Sequence, residues 1–141
     1  MQRTATAVWT GSLKEGNGQI STTSGVLKDA PYSFLTRFEN GKGTKPEELI
    51  GAAHAACFAM ALSAQLNTMN FIPQSIQTAA TVSLEKLDAG WTITAVHLDV
   101  VGRVPGADAA GFQKAADNAK SGCPVSKVLK ANITMDAKLE S

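Results

Sequence analysis

The hydrophobic pattern of the chain begins with short extended runs that are separated by turn residues. Ala5 to Thr10, Gln19 to Leu27 and Tyr32 to Phe38 are apolar or alternating, with Gly-Asn-Gly and Asp-Ala-Pro sequences between them. Runs of this kind, bounded by Gly, Asn, Asp and Pro, are typical of a three-stranded meander. In the third run the alternation places Arg37 on the face opposite the aromatic side chains.

A long helix is predicted after the loop that follows these strands. Thr44, Pro46 and Glu47 have the spacing of a capping box with proline in the first turn. The helix body, from Glu48 to about Gln65, has small residues on nearly every side, which predicts a core helix that other elements approach closely all round. Leu49 to Leu66 is uncharged and long enough to cross a membrane, but its Ala, Gly and polar residues favour a buried helix of a soluble protein.

Period-two and helical patterns continue through the second half of the chain. Ala80 to Glu85 alternates and predicts a strand with one wet face, whereas Trp91 to Val104 is apolar on both faces and predicts a strand covered on both sides. Asp108 to Lys120 and Val125 to Ala131 predict two helical segments, and Asn132 to Leu139 a final half-buried strand. The order β-β-β-α-β-β-α-α-β, with a leading meander and grouped helices, predicts an α+β fold.

Length and charge narrow the function classes. The 141 residues suit one domain over residues 1–141. Thirteen basic against twelve acidic residues leave a net charge of +1, which does not provide the basic surface that nucleic acids need. The first twenty residues lack the features of a secretory signal or a transit peptide, so we expect a cytoplasmic protein.

The two cysteines are the main candidates for chemistry. Cys123 precedes Pro124 and a helical segment, where helix N–H groups favour a thiolate, although a small buried residue at a helix junction is an equal alternative. Cys57 lies about three turns inside the long helix, where an inert core cysteine is favoured unless another element supplies a cation. Arg37, shortly before that helix, is the candidate cation.

Two further groups of residues have both structural and functional interpretations. Glu47 and Glu48 can complement the first turn of the helix, or one of them can grip Arg37, and both roles are compatible. His54, in the same helix, could act as a base or could bind zinc together with His97 and the cysteines. The paired C-x-x-C spacing of zinc sites is missing, so we expect no metal site and a core histidine.

Three segments of the chain carry a combination of motifs that is far more specific than either cysteine alone. They are Tyr32–Glu39 (YSFLTRFE), Gly43–Phe58 (GTKPEELIGAAHAACF) and Gly122–Ala131 (GCPVSKVLKA). Together these segments resemble the OsmC family of osmotically induced hydroperoxide reductases. The resemblance implies an intertwined homodimer in which two sheets wrap around central helices, with active sites at the subunit interface.

The resemblance also implies a role for each candidate residue. Cys57 would attack the peroxide and Cys123 would resolve the product, which reverses the order that helix position alone suggests. Arg37 would lower the pKa of the Cys57 thiol and orient the peroxide, and Glu47 would hold Arg37. In a related branch of the family the arginine comes from an early N-terminal loop, so Arg3 remains an alternative to Arg37, as Glu48 does to Glu47.

The implied function is a thiol-dependent peroxidase that reduces organic hydroperoxides, with hydrogen peroxide as a further expected substrate. Cys57 would form a sulfenic acid, Cys123 would convert it to a disulfide, and an external dithiol would restore both thiols. We expect no metal or organic cofactor, no nucleic acid or membrane partner, and a homodimer. Two alternatives stay open: a non-enzymatic redox-sensing or binding protein that uses the same cysteine pair, and a structural dimer with unreactive cysteines.

Overall fold

The computed structural model describes residues 1–140, which form two three-stranded sheets and four helices. The α+β class predicted from the sequence is confirmed, and the order contains one additional helix, β-β-β-α-α-β-β-α-α-β. The elements are β1 (Ala5–Thr10), β2 (Asn17–Thr22), β3 (Ala30–Tyr32), α1 (Phe34–Phe38), α2 (Pro46–Thr68), β4 (Ser75–Leu87), β5 (Gly90–Arg103), α3 (Ala109–Gly122), α4 (Pro124–Val128) and β6 (Asn132–Glu140). The chain divides into two compact units, Met1–Leu49 and Ile50–Ser141.

The first unit contains the predicted meander, but its third strand is shorter than expected. β1, β2 and β3 pair antiparallel in that order, and β3 ends at Tyr32. The backbone N–H of Ser33 donates to Thr36 Oγ1 at 2.9 Å, and Ser33 Oγ accepts from the Thr36 N–H at 3.3 Å. This reciprocal capping box starts α1, so the predicted strand from Tyr32 to Phe38 is wrong beyond Tyr32.

The short helix α1 changes the surroundings of Arg37. Phe34 and Phe38, four residues apart, bring their ring centroids to 4.9 Å, and the Arg37 guanidinium lies 5.3 Å from the centre of the Phe38 ring. The prediction that Arg37 faces away from the aromatic residues is therefore wrong. It assumed a period of two residues where the backbone has helical spacing.

The loop before α2 is anchored by side-chain hydroxyls. The Thr44 hydroxyl, predicted to cap α2, instead donates to the carbonyl of Pro31 at 3.1 Å. The buried Thr36 hydroxyl donates to the carbonyls of Ser33 and Thr44. The helix then begins at Pro46, whose missing N–H is not needed in the first turn.

The second unit is a sheet with helices packed on one face. β4 and β5 form an antiparallel pair, and β6 pairs parallel to β5 because α3 and α4 supply the crossover connection. The core consists of apolar side chains from α2, β5 and α3 and from the ends of the crossover: Phe58, Leu62, Leu66, Val96, Leu98, Val100, Val104, Phe112, Ala115, Ala116, Ala119 and Cys123.

Two sequence predictions about this unit need correction. β5 is buried on one face only, since Val96 and Leu98 face the core while Asp99 on the other face is exposed. The last helix, α4, ends at Val128, three residues before the predicted Ala131. Strand alternation in β5 was hidden by valine and alanine residues on the solvent side.

Helix α2 is buried along one stripe rather than all round. His54, Phe58, Leu62 and Leu66 are fully buried and recur at the helical period, whereas Met60 on another face is 76% exposed. The helix is long and apolar enough to cross a membrane by length and composition, as the sequence indicated. Its buried stripe belongs to the core of the second unit.

Candidate active site

The two cysteines, 66 residues apart in the chain, lie against each other in the second unit. The Sγ atoms of Cys57 and Cys123 are 2.9 Å apart, within hydrogen-bond distance, and both residues are free thiols. Cys57 is half-buried in the middle of α2, and Cys123 is fully buried. A disulfide bond measures about 2.05 Å, so the sulfurs need to approach by only about 0.9 Å to form one.

Cys123 occupies the junction between α3 and α4. It is the C-cap of α3, where its N–H donates to the carbonyl of Ala119, and at the same time the N-cap of α4. Pro124 follows as the first residue of α4, where its missing N–H is not needed. The helix-junction position that the sequence predicted for Cys123 is confirmed.

The surroundings of the two thiols push their ionisation in opposite directions. Burial raises the pKa of Cys57, and its hydrogen bond to Cys123 raises it further. Burial also acts to raise the pKa of Cys123, but hydrogen bonds from Cys57 and from the backbone N–H and hydroxyl of Ser126 outweigh burial and lower it. Within this unit Cys123 is therefore the more acidic thiol, as its helix position predicted.

A buried histidine and serine lie beside the thiol pair. His54 is fully buried, and its Nε2 lies 2.7 Å from Ser126 Oγ. His54 precedes Cys57 by three residues in α2, and Ser126 follows Cys123 by three residues in α4. The sequence prediction of a core histidine is confirmed, but Ser126 was missed, and its helical spacing from Cys123 is the signal that could have identified it.

The first unit pairs Arg37 with Glu47. Glu47 Oε1 accepts from Arg37 Nη2 at 2.7 Å and from Arg37 Nε at 3.1 Å. The Glu47 side chain is 12% exposed, whereas Glu48, the alternative, is exposed to solvent. Arg3, the other arginine considered, is exposed and donates to the carbonyl of Gln2.

An apolar cavity of about 290 Å³ lies beside Arg37 in the same unit. Aromatic and aliphatic side chains dominate its lining, and the guanidinium is its one charged group. The lining residues are Trp9, Leu13, Tyr32, Ser33, Phe34, Arg37, Phe38 and Pro46. A cavity of this kind can receive the apolar part of a small molecule while the cation binds its polar end.

The contacts of His97 are with Asp99, Asp136 and Thr134 and do not include the two cysteines. On the outer face of the sheet its Nε2 lies 3.3 Å from Asp99 Oδ1 and 3.2 Å from Asp136 Oδ2, and its Nδ1 lies 2.6 Å from Thr134 Oγ1. Among residues 1–140, His97, Asp99 and Asp136 are the His, Cys, Asp or Glu side chains that lie close enough together to share a metal ion. The zinc arrangement of His97 with His54 and the cysteines does not form in that part of the chain.

Comparison with known proteins connects these two pairs of residues to one family. Residues 39–138 match the family model described as OsmC-like protein. The chain belongs to the OsmC family. The matched OsmC segment contains Glu47, Cys57 and Cys123, and Arg37 lies two residues before it.

Individual OsmC relatives support this assignment over nearly the whole chain. The chain is 58% identical over 135 residues to Peroxiredoxin OsmC of Escherichia coli strain K12, which covers 96% of this chain and 94% of that protein. It is 30% identical over 124 residues to Organic hydroperoxide resistance protein OhrB of Bacillus subtilis strain 168, covering 87% and 88%.

Solved structures of the OsmC fold match the same extent of chain. The crystal structure of OhrB of Bacillus subtilis has a TM-score of 0.68 at 26% identity, covering 97% of this chain and 98% of that chain. An OsmC-like protein of unknown function from Vibrio cholerae has a TM-score of 0.77 at 15% identity, covering 97% and 99%. The second likeness concerns the fold alone.

Proposed function

We propose that this OsmC-family protein is a cysteine-based peroxidase that reduces organic hydroperoxides and also hydrogen peroxide. The observation that carries the proposal is the 2.9 Å separation of Cys57 and Cys123, both free thiols. The names of its relatives, a peroxiredoxin and an organic hydroperoxide resistance protein, support the same reaction class.

In the proposed first step the Cys57 thiolate attacks the distal oxygen of the hydroperoxide. An S–O bond forms, the O–O bond breaks, and the leaving alkoxide takes a proton to become an alcohol, or water when the substrate is hydrogen peroxide. Sulfur is oxidised by two electrons to Cys57 sulfenic acid, and the peroxide is reduced by the same two.

The proposed role of Arg37 follows from the electrostatics of Cys57. Burial and the neighbouring thiol raise the pKa of Cys57, so its thiolate needs a nearby cation. The groups of the second unit that act on the Cys57 thiol, Cys123 and the backbone of Val125, do not include one. We assign that role to Arg37, held by the carboxylate of Glu47. A fixed guanidinium would stabilise both the thiolate and the negative charge that develops on the leaving oxygen.

In the proposed second step Cys123 attacks the sulfur of the Cys57 sulfenic acid. A disulfide forms, the S–O bond breaks, and the hydroxyl leaves with the Cys123 proton as water. An external dithiol then reduces the disulfide by thiol exchange through a mixed disulfide. The cycle needs no metal or organic cofactor.

Substrate class and assembly are parts of the same proposal. The apolar cavity beside Arg37 supports a preference for hydroperoxides with an aromatic or alkyl group. Exposed apolar side chains, including Val8 on β1 and Met60 on α2, support a homodimer in which a second copy covers them. We propose a cytoplasmic location, where dithiol reductants are available.

The test is intact-mass spectrometry of the reduced protein after one equivalent of cumene hydroperoxide, with peptide mapping of any cross-link. We expect a loss of two hydrogens and a Cys57–Cys123 disulfide in the native sequence. Cys57→Ser should consume no peroxide, and Cys123→Ser should undergo one turnover and accumulate the Cys57 sulfenic acid. Peroxide consumption by Cys57→Ser at the native rate would refute the mechanism.

Turnover with excess dithiol separates the enzyme from a redox switch. Repeated consumption of many equivalents of hydroperoxide per protein molecule is expected of the peroxidase. A single equivalent consumed, followed by a stable disulfide that the dithiol does not reduce, would favour the redox-sensing alternative.

A further inference from the structure

The buried pair His54 and Ser126 has no part in the proposed cycle, although it adjoins both cysteines. Three neighbouring groups form one series. Cys57 Sγ lies 2.9 Å from Cys123 Sγ, and Ser126 Oγ lies 2.7 Å from His54 Nε2. Between them, Ser126 follows Cys123 by three residues at the start of α4, and its hydroxyl acts to lower the pKa of the Cys123 thiol. The series joins α2 to α4 twice, once through the sulfurs and once through the imidazole and hydroxyl.

The unpartnered nitrogen of His54 indicates which tautomer is present. Among the described residues, His54 Nδ1 is buried without a hydrogen-bond partner. A buried N–H without an acceptor costs more than a buried lone pair without a donor, so the proton belongs on Nε2. Burial lowers the pKa of His54, which keeps the ring neutral. His54 Nε2–H therefore donates to Ser126 Oγ.

This tautomer fixes the direction of the Ser126 hydroxyl. A serine hydroxyl has one hydrogen, and when its oxygen accepts from His54 that hydrogen is available to Cys123. In the opposite tautomer the hydrogen would be directed to His54, and only a lone pair would face the sulfur. The arrangement His54 N–H, Ser126 O–H, Cys123 sulfur thus presents a donor to a thiolate.

We propose that His54 is a positioning residue that acts through the Ser126 hydroxyl to stabilise the thiolate of Cys123 and so to promote closure of the disulfide. The inference rests on the proposed two-cysteine cycle, in which Cys123 must lose its proton as it attacks the sulfenic acid. The groups that affect ionisation of the Cys123 thiol are Cys57 from α2 and Val125 and Ser126 from α4. Burial lowers the pKa of His54, so the imidazole acts as a neutral donor.

The ionisation of Cys123 can be measured without peroxide. In a Cys57→Ser background the only thiol is Cys123, and its thiolate is followed by absorbance at 240 nm as the pH is raised. Loss of one charge-assisted hydrogen bond in Ser126→Ala should raise the midpoint by about one pH unit, a roughly tenfold loss of thiolate below the midpoint. His54→Leu should raise it by a smaller amount, roughly threefold, because the hydroxyl remains but is no longer oriented.

Three further variants separate positioning from a merely structural effect. His54→Gln, which can keep an N–H donor, should restore the native midpoint. His54→Leu added to Ser126→Ala should cause no further shift, because His54 acts through the hydroxyl. Ser121→Ala is the matched control, since that hydroxyl bonds to the carbonyls of Asp117 and Asn118 and should leave the midpoint unchanged.

The kinetic consequence concerns the second step of the cycle alone. In the two-cysteine protein, Ser126→Ala should slow disulfide closure, followed by rapid acid quenching and mass spectrometry, while sulfenic acid forms at the native rate. The fraction of Cys123 present as thiolate falls about tenfold, but a thiolate of higher pKa is about threefold more nucleophilic. The rate of disulfide closure should therefore fall about threefold.

An unchanged titration midpoint in Ser126→Ala would overturn the inference, as would a full shift from His54→Leu in the absence of the Ser126 hydroxyl. Either result leaves the peroxidase proposal intact, because the titration uses no peroxide. Conversely, a native protein that does not form the disulfide would refute the proposed function even if the midpoints shift as described.

Discussion

Removing the Glu47 carboxylate should affect catalysis more than stability, and the chain offers a matched control in Glu48. Both residues lie in the first turn of α2, where a carboxylate contributes about 0.3–1 kcal/mol to the helix dipole interaction. Glu47 also accepts two hydrogen bonds from Arg37, at 2.7 and 3.1 Å. Glu47→Ala and Glu48→Ala therefore differ by the ion pair with Arg37.

The magnitude follows from the exposure of the pair. The Arg37 side chain is 39% exposed and Glu47 12%, so solvent screens the interaction, and we expect Glu47→Ala to lose about 1 kcal/mol of unfolding free energy more than Glu48→Ala. Catalysis should suffer more, because the guanidinium loses its fixed position. A misplacement of about 1 Å can cost up to about 100-fold, and we expect kcat/KM for cumene hydroperoxide to fall about 10- to 100-fold.

The assay pairs urea unfolding with peroxide consumption under excess dithiol for each variant. Glu48→Ala should stay within about twofold of the native kcat/KM, and Glu47→Gln should fall between the native protein and Glu47→Ala because its amide oxygen still accepts from Arg37. Equal losses of activity in Glu47→Ala and Glu48→Ala would refute the role of Glu47 in holding Arg37.

Three further predictions concern stability and are checked by urea unfolding. A Cβ at Gly102 would lie 2.4 Å from the ring of buried Phe112, so Gly102→Ala should lose about 1–3 kcal/mol, and adding Phe112→Leu should recover part of the loss; purely additive effects would contradict this. Thr36→Val removes a buried hydroxyl that donates to the Thr44 carbonyl and should cost about 1–2 kcal/mol, whereas an unchanged midpoint would show the hydroxyl to be dispensable. Burial lowers the pKa of His54 below 6.5, so the unfolded state binds a proton at this histidine before the folded state does as the pH falls. The free energy of unfolding should therefore decline below about pH 6.5, and more steeply in the native protein than in His54→Gln. Equal slopes in the two proteins would contradict this role of His54.

The strands of the second unit could be predicted because their alternation survives in the structure. Ala80 to Glu85 lies within β4, and the final strand lies within β6 as expected. The region from Tyr32 to Phe38 was wrongly predicted to be a strand throughout, because its residues alternate as in a strand. The same region contains Ser33 and Thr36 at capping-box spacing, which favours a helix. The local hydroxyl contacts prevailed over the alternation, and a short helix resulted.

The candidate site was predictable to a different extent in each of its parts. Helix position predicted the direction in which the pKa of Cys123 shifts, and the local N–H groups of Val125 and Ser126 contribute to that shift. The larger contribution, from Cys57, is not local and could not be predicted in this way. The proximity of Cys57 and Cys123 was implied only by the family resemblance, since contacts across 66 residues depend on the whole fold. Ser126 was missed for the same reason, because its partner His54 lies 72 residues away in the chain.

The long chain segment between the two sulfurs has a consequence for the unfolded protein. A disulfide between residues 66 positions apart would restrict the unfolded chain by an amount worth about 4 kcal/mol in the loop-entropy description. The reduced protein has no covalent cross-link between its two cysteines, whereas the oxidised protein would carry one between α2 and the α3–α4 junction. The melting temperature would thus report the redox state of the cysteines. The disulfide form, before the external dithiol reduces it, would be the form most resistant to heat and proteolysis.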